Sequence, residues 1–452
     1  MAHCDDFSRT DAERRTALAR PISRRRLLQA GLGATISLYA AKAMPLARAL
    51  EAGEASAAAA PNAPVLVNVF IPGGLDLLDT LVPTAAYGRY ADLRPVLKVA
   101  DPVGLGSTGF GVHPTLTQGL NGGLKGLFDR GRLGFIPGID YANPDLSHFN
   151  SRHFWETGVI SLNPGAGWLA RWVDRNGGPD NPFQGMSMDA GLSPLLRGGG
   201  KPVAAVQSPD DAQSWVPGVW GEWQDRMMEH YTAIAARRPG APGPAAVFAA
   251  ARQSQFVART LRPYVKDSKT DVDPLAPPVA YPGGENGEGT NGFAENLRYL
   301  AAMISLPLGI RVATVEAPGD FDTHDDQAKT LVEDLGKVSE GLSAFQADLE
   351  ARGIADRVLT IVWTEFGRRP KENSSAGTDH GAGGIAWVMG ARARGGLLTP
   401  YPDLNSFDED DNLKVTVDFR AVYASLLEQW LGTGADEVLP DAGRVGRVQL
   451  VA

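Results

Sequence analysis

From residue 63 onward, short apolar runs alternate with longer stretches in which apolar residues recur at helical spacing. The runs at 64–71 (Pro-Val-Leu-Val-Asn-Val-Phe-Ile), 132–139, 202–207, 310–316, 358–363 and 385–389 are bounded by Gly, Pro or Asp. They predict buried strands. Helical patterns fall at about 115–129, 147–158, 166–175, 218–237, 244–263, 291–306, 325–352 and 418–431. Strand and helix alternating over this length predict an α/β fold, a three-layer sandwich around a mainly parallel central sheet. Sites in such sheets form at the carboxyl ends of the strands. Residues 238–245 and 267–292 are rich in Pro and Gly and predict surface loops. With the helical pair at 218–263 they form an insertion, about 218–292, in a single domain spanning 63–452.

The first 62 residues follow a different pattern. Ser23-Arg24-Arg25-Arg26-Leu27-Leu28 is followed by an apolar run from Gln29 to Ala41 and by small residues at Ala47-Arg48-Ala49. That order predicts a twin-arginine signal peptide at 1–49, then a linker at 50–62. The expectation is a protein exported already folded and ending in the periplasm or outside the cell. The apolar run is shorter than the roughly 20 residues a bilayer needs, so no stable membrane span is expected after the signal is removed.

Charge changes once that segment is set aside. The whole chain carries 43 basic and 52 acidic residues, net −9; beyond residue 49 the balance is 34 against 48, net −14. An acidic surface argues against nucleic acid as a partner. Cys4 is the only cysteine, so disulfides and thiolate chemistry are not expected in the mature protein.

Four segments at strand ends concentrate the chemistry. Gly73-Gly74-Leu75-Asp76 follows the first run, where paired glycines allow a tight turn and Asp76 offers oxygen to a hard cation, or else caps a helix. Ser147-His148-Phe149-Asn150-Ser151-Arg152-His153 opens a helix. There Ser147 is either a nucleophile or an N-cap, and Arg152 has the fork that grips oxyanions. Asp322 and His324, two residues apart, face the same way in extended chain and make half a divalent metal site. Strand 358–363 delivers Glu365, followed by Arg368 and then by Gly377-Thr378-Asp379-His380-Gly381. Of the six histidines beyond the signal, at 113, 148, 153, 230, 324 and 380, five stand at strand ends or helix starts.

Together these motifs carry a resemblance. Gly73-Gly74-Leu75-Asp76, Arg94-Pro95, His113-Pro114, Ser147-His148-Phe149, Gly167-Trp168-Leu169-Ala170-Arg171, Phe321-Asp322-Thr323-His324, Thr364-Glu365-Phe366-Gly367-Arg368 and Gly377-Thr378-Asp379-His380-Gly381 occur in order behind the twin arginines. In this the chain resembles the exported family known as domain of unknown function 1501, and more distantly the alkaline phosphatase and sulfatase superfamily. The resemblance implies an alkaline phosphatase-like fold and a divalent metal (zinc, calcium or manganese) held by Asp76, Asp322, His324, Glu365 and His380. It implies catalytic roles for Ser147, His148 and Arg152, and substrate contacts from Arg368 and Asp379. The chain departs from the superfamily pattern where His148 takes the nucleophile's place and Phe366 replaces a histidine.

The function so implied is hydrolysis of sulfate or phosphate esters, on a small-molecule or glycan substrate. The substituted positions 148 and 366 favour an alternative, a non-catalytic periplasmic binding or assembly protein that retains the fold. The sequence carries no signal of oligomeric state.

Overall fold

The computed structural model describes residues 62–212, 219, 221–235, 242–267, 269–283 and 291–452. The expected signal peptide and nearly all of the linker lie outside the described residues.

Nine strands form the main sheet: β1 (Val65–Phe70), β2 (Leu133–Asp140), β3 (Gly185–Ser187), β4 (Ala204–Ala205), β5 (Val312–Glu316), β6 (Val358–Trp363), β7 (Gly384–Met389), β8 (Gly396–Leu397) and β9 (Val417–Asp418). Their order is β8-β2-β7-β6-β1-β5-β3-β4, with β9 also on β2. β1 lies parallel between β5 and β6, and only β7 runs antiparallel to its neighbours. The sheet is therefore mixed and mostly parallel. Strands β1, β6 and β7 are buried on both faces, which is why they read as continuous apolar runs.

Among the described residues, seven helices flank the sheet, α1 (Gly123–Asp129), α2 (His148–Thr157), α3 (Trp168–Asn176), α5 (Pro242–Leu261), α6 (Gly292–Ser305), α7 (Gly336–Ala351) and α8 (Phe419–Gln429), and α4 (Glu222–Ala235) packs on α5. Alternate residues of each strand feed opposite layers. Val65, Val67 and Val69 join Val315 and Val362 in a core completed by Leu124 of α1, Leu300 of α6 and Phe345 of α7. Leu66, Phe70, Ile361 and Trp363 join Trp155 of α2, Trp172 of α3 and Tyr423 of α8. Helix α5 buries Phe256, Val257 and Leu261 in the first of these cores. Among the described residues no helix is long and apolar enough to cross a membrane.

Three local features differ from expectation. Strand β3, Gly-Met-Ser, was not predicted because it carries little β-forming signal of its own and is ordered by its parallel neighbour β5. The pattern at 115–129 begins as 3₁₀ turns and becomes α-helical only at Gly123. The stretch at 325–352 starts with a short helix at Gln327–Thr330, passes through a π turn at Leu331–Leu335, and continues as α7. Such π turns often accompany functional sites.

In the second core, Trp155 is 1% exposed and lies between two rings, 5.0 Å from Trp363 and 4.5 Å from Phe419, nearly parallel to both. It fixes α2 against the sheet and hence the position of the helix start. Trp155→Ala is expected to lower the unfolding free energy by about 3–5 kcal/mol, measured by chemical denaturation.

Candidate metal centre

Five chain segments converge at the carboxyl edge of the sheet. The loop after β1 brings Gly73 and Gly74; the loop after β5 brings Asp322 and His324; β6 ends in Thr364 and Glu365; and α2 begins at His148. His380 arrives on a two-residue strand paired antiparallel with Gly367–Arg368.

Asp322 is the hub. Its Oδ1 lies 2.9 Å from His380 Nε2, 3.1 Å from His324 Nε2 and 2.7 Å from Arg368 Nη2, and its Oδ2 lies 3.3 Å from His148 Nε2. The Nε2 atoms of His324 and His380 are 3.1 Å apart. His148, Asp322 and His380 can each offer a ligand atom within 4.8 Å of the others.

The far side of each imidazole is held. His148 Nδ1 is 2.8 Å from Glu365 Oε1, His380 Nδ1 is 2.9 Å from the Leu146 carbonyl, and His324 Nδ1 is 3.4 Å from Asp379 Oδ1. An acceptor at Nδ1 keeps the proton there and leaves the Nε2 lone pair facing the centre. His148 Nε2 is buried and has no hydrogen-bond partner, its Asp322 contact being off hydrogen-bond geometry. A buried polar atom of that kind needs a partner. A tetrahedron of metal–ligand bonds of roughly 2.0–2.1 Å has edges of about 3.4 Å, close to the spacings of Asp322 from each imidazole; His324, beside Asp322 and His380, stands outside the mutually close set of His148, Asp322 and His380. The residues therefore fit a divalent ion.

Electrostatics follow from these contacts. Burial alone would raise the Asp322 carboxyl, but His148, His324, His380 and Arg368 reverse it and hold it well below the usual carboxylate range. Burial would push the His148 imidazole down; Asp322 and Glu365 outweigh it and hold it up at about 9. His324 is raised by its bond to Asp322, whereas burial lowers His380.

Several expected roles change. Glu365, 2% exposed, is not among the groups facing the centre. It accepts from the Gly73 and Gly74 N–H groups and from the Thr364 hydroxyl, and its remaining capacity goes to His148. A Cβ on Gly73 would stand 2.3 Å from Asp322 N, and one on Gly74 2.5 Å from the Phe366 ring, so both positions require glycine. Asp76 is withdrawn from the centre too. It caps the short helix Leu77–Thr80, and its Oδ2 meets Arg94 Nη2 at 2.7 Å and Gln327 Nε2 at 3.1 Å. Gln327 and Arg94 also reach Asp79, whose carboxyl burial pushes up to about 6 despite the nearby guanidinium.

Both arginines are engaged within the protein. Arg152 donates to Glu156 at 2.7 Å and Glu316 at 2.8 Å, with its guanidinium over the Phe70 ring. Arg368 has a fully buried side chain that donates to the carbonyls of Gly73, Gly74, Phe321 and Thr378 as well as to Asp322. Ser147 takes the N-cap position of α2, but its hydroxyl makes no capping bond. Asp379 contacts His324 and Asn373, half-exposed at the edge of the cluster.

Sequence reasoning missed the Leu146 carbonyl and Asn373, and it read Phe366 only as replacing a histidine. Leu146 has a φ of 59°, a left-handed conformation unusual for a bulky residue, and this aims its carbonyl at His380. Asn373 donates to the His324 carbonyl at 2.8 Å. The Phe366 ring packs 4.8 Å from His148 and 4.6 Å from His380, an apolar floor beneath both.

Comparison with known proteins now has a geometry to meet. Residues 235–428 match the family model described as protein of unknown function, DUF1501. No curated protein matches the chain. Among solved structures, alkaline phosphatase from the Antarctic bacterium TAB5 is similar at 9% identity and a TM-score of 0.31, over 73% of this chain and 91% of that one. A mutant of that phosphatase with Mg bound in its M3 site is similar at 10% identity and a TM-score of 0.30, with the same coverage.

A raised imidazole pKa stabilises the fold only while the imidazole is charged. For His148 the contribution is complete below its unfolded value near 6.5 and is lost as pH rises through about 9. Metal-free protein is expected to lose on the order of 2 kcal/mol from this group between pH 6.5 and 9, and His148→Gln should flatten that slope in denaturation curves taken across the range.

Proposed function

We propose that the protein is an exported, zinc-dependent hydrolase of phosphate or sulfate esters, reaching the periplasm by the twin-arginine route. The observation that carries the reading is the convergence of three Nε2 atoms on one carboxylate, each ring fixed from behind by an acceptor. His148, His380 and Asp322 would hold the ion, and His324, 3.1 Å from both His380 Nε2 and Asp322 Oδ1, would close on it as the fourth ligand. Three imidazoles and one carboxylate suit zinc, whereas calcium prefers six to eight oxygens. When bound, such an ion supplies Lewis acidity and an acidified water.

The chain's own residues do the rest. Glu365 orients His148 and keeps its proton on Nδ1. Asp379, the most exposed of these acceptors, does the same for His324. Arg368 holds Asp322 and both glycine carbonyls in place. Phe366 keeps water from the underside of His148 and His380. Hydrolysis joins a water oxygen to phosphorus or sulfur, breaks the ester bond, and sends its electron pair and a proton to the leaving alcohol. Water, not Ser147, is the nucleophile in this reading, since among the described residues the Ser147 hydroxyl has no base bonded to it.

The alternative is a metal-binding protein without catalysis, favoured by the buried, fully engaged Arg368 and the ion-paired Arg152. The two readings separate on measurement. Purified protein is expected to contain close to one zinc per chain, and His148→Ala, Asp322→Ala or His380→Ala should each weaken zinc binding at least a hundredfold. Glu365→Gln should weaken it roughly 10–100-fold, while Arg152→Gln retains it. Zinc-loaded protein should cleave chromogenic phosphate or sulfate esters and stop when chelated. Stoichiometric zinc with no cleavage would support the non-catalytic reading; no zinc in any preparation would remove both.

A further inference from the structure

We infer that the site selects esters with a single negative charge on the reacting group, phosphodiesters and sulfate esters, over dianionic phosphate monoesters; this rests on the hydrolase reading above.

The cluster is open on one side. Side-chain exposure rises from 16% at His380 and 17% at Asp322 through 22% at His148 to 34% at His324 and 56% at Asp379. A ligand therefore approaches past His324 and Asp379. That approach is acidic. Asp325 and Asp326 follow His324 directly and are exposed, as is Asp320, whose Oδ1 accepts from the Asp322 N–H. Asp145 is exposed one residue before the Leu146 carbonyl that holds His380. Lys329, in the helical turn after Asp326, and Arg369, whose N–H donates to the Asp379 carbonyl, offset two of these charges and leave the approach net negative.

Two of the cations near the cluster are already committed. Arg368 is fully buried and spends its donors on four carbonyls and Asp322, and Arg152 is paired with Glu156 and Glu316. A dianionic monoester at neutral pH would bring about two negative charges into a mouth of like sign. A diester or sulfate ester brings one, which the bound ion can balance. Clefts lined by one sign of charge concentrate or repel ligands over several ångströms.

The discriminating experiment uses cobalt-loaded protein, whose visible absorption reports ligands at the ion. Dissociation constants would be measured at low ionic strength for dimethyl phosphate, methyl sulfate and methyl phosphate, in the native protein and in an Asp325→Asn/Asp326→Asn variant. The native protein should bind both monoanions more tightly than methyl phosphate. The variant should improve methyl phosphate relative to the monoanions by about fivefold, and added salt should erase the difference between proteins. A stronger response to dimethyl phosphate than to methyl sulfate would assign the diester class, and the reverse the sulfate class. Methyl phosphate binding as tightly as either monoanion in the native protein, or a ratio unmoved in the variant, would overturn the inference while leaving metal binding intact. Failure to take up cobalt would instead overturn the reading on which it rests.

Discussion

The sharing of one carboxylate among three imidazoles and a guanidinium is the interaction on which this site depends. Asp322 meets His148, His324, His380 and Arg368 within 3.3 Å. Without an ion, some of those imidazoles must be protonated for the arrangement to be favourable, which is why His148 and His324 are raised. With an ion, the same lone pairs become ligands and the protons leave. A centre of this kind is poised between proton and metal, and the surrounding scaffold keeps the groups together in either condition.

That scaffold is built from backbone more than from side chains. Arg368 ties the loop after β1, the loop after β5 and the Thr378 segment into one unit by donating to their carbonyls. The Gly73 and Gly74 N–H groups fix Glu365, and Asn373 fixes the His324 loop. Beneath these, Arg94 pairs with Asp76 and Asp79 in full burial, and Gln327 bridges both carboxylates while accepting from Thr323 and Thr378. Removing one partner from such a buried network leaves an unpaired charge and costs several kcal/mol, typically about 3–5. The second layer thus holds the first to its geometry.

Much of the fold was legible in the sequence because doubly buried strands leave a strong apolar signature. Runs at 64–71, 132–139 and 358–363 correspond to β1, β2 and β6 within a residue at each end. The short β3 was not, since its pairing with β5 comes from tertiary contact. In the site, the segments were readable and the roles were not. A glycine-flanked His380 and the Asp322–His324 pair announce themselves at strand ends. Whether Asp76 faces a metal or an arginine depends on Arg94, eighteen residues along the chain, and no local pattern encodes that contact. Glu365 likewise looked like a ligand because it ends a buried strand; only the long-range approach of Gly73 and His148 shows that it stands one shell further out. His148 was read as standing in for a nucleophile, and the fold turns its Nε2 toward Asp322 instead.

The central claim is that His148, His324, His380 and Asp322 form a single nitrogen-rich metal centre. X-ray absorption spectroscopy of the zinc-loaded protein tests it most directly, because imidazole rings scatter with a recognisable outer-shell pattern. The account predicts three imidazole nitrogens at about 2.0–2.1 Å and an oxygen at about 2.0–2.2 Å. A spectrum with oxygen ligands only, or with a single imidazole, would contradict it.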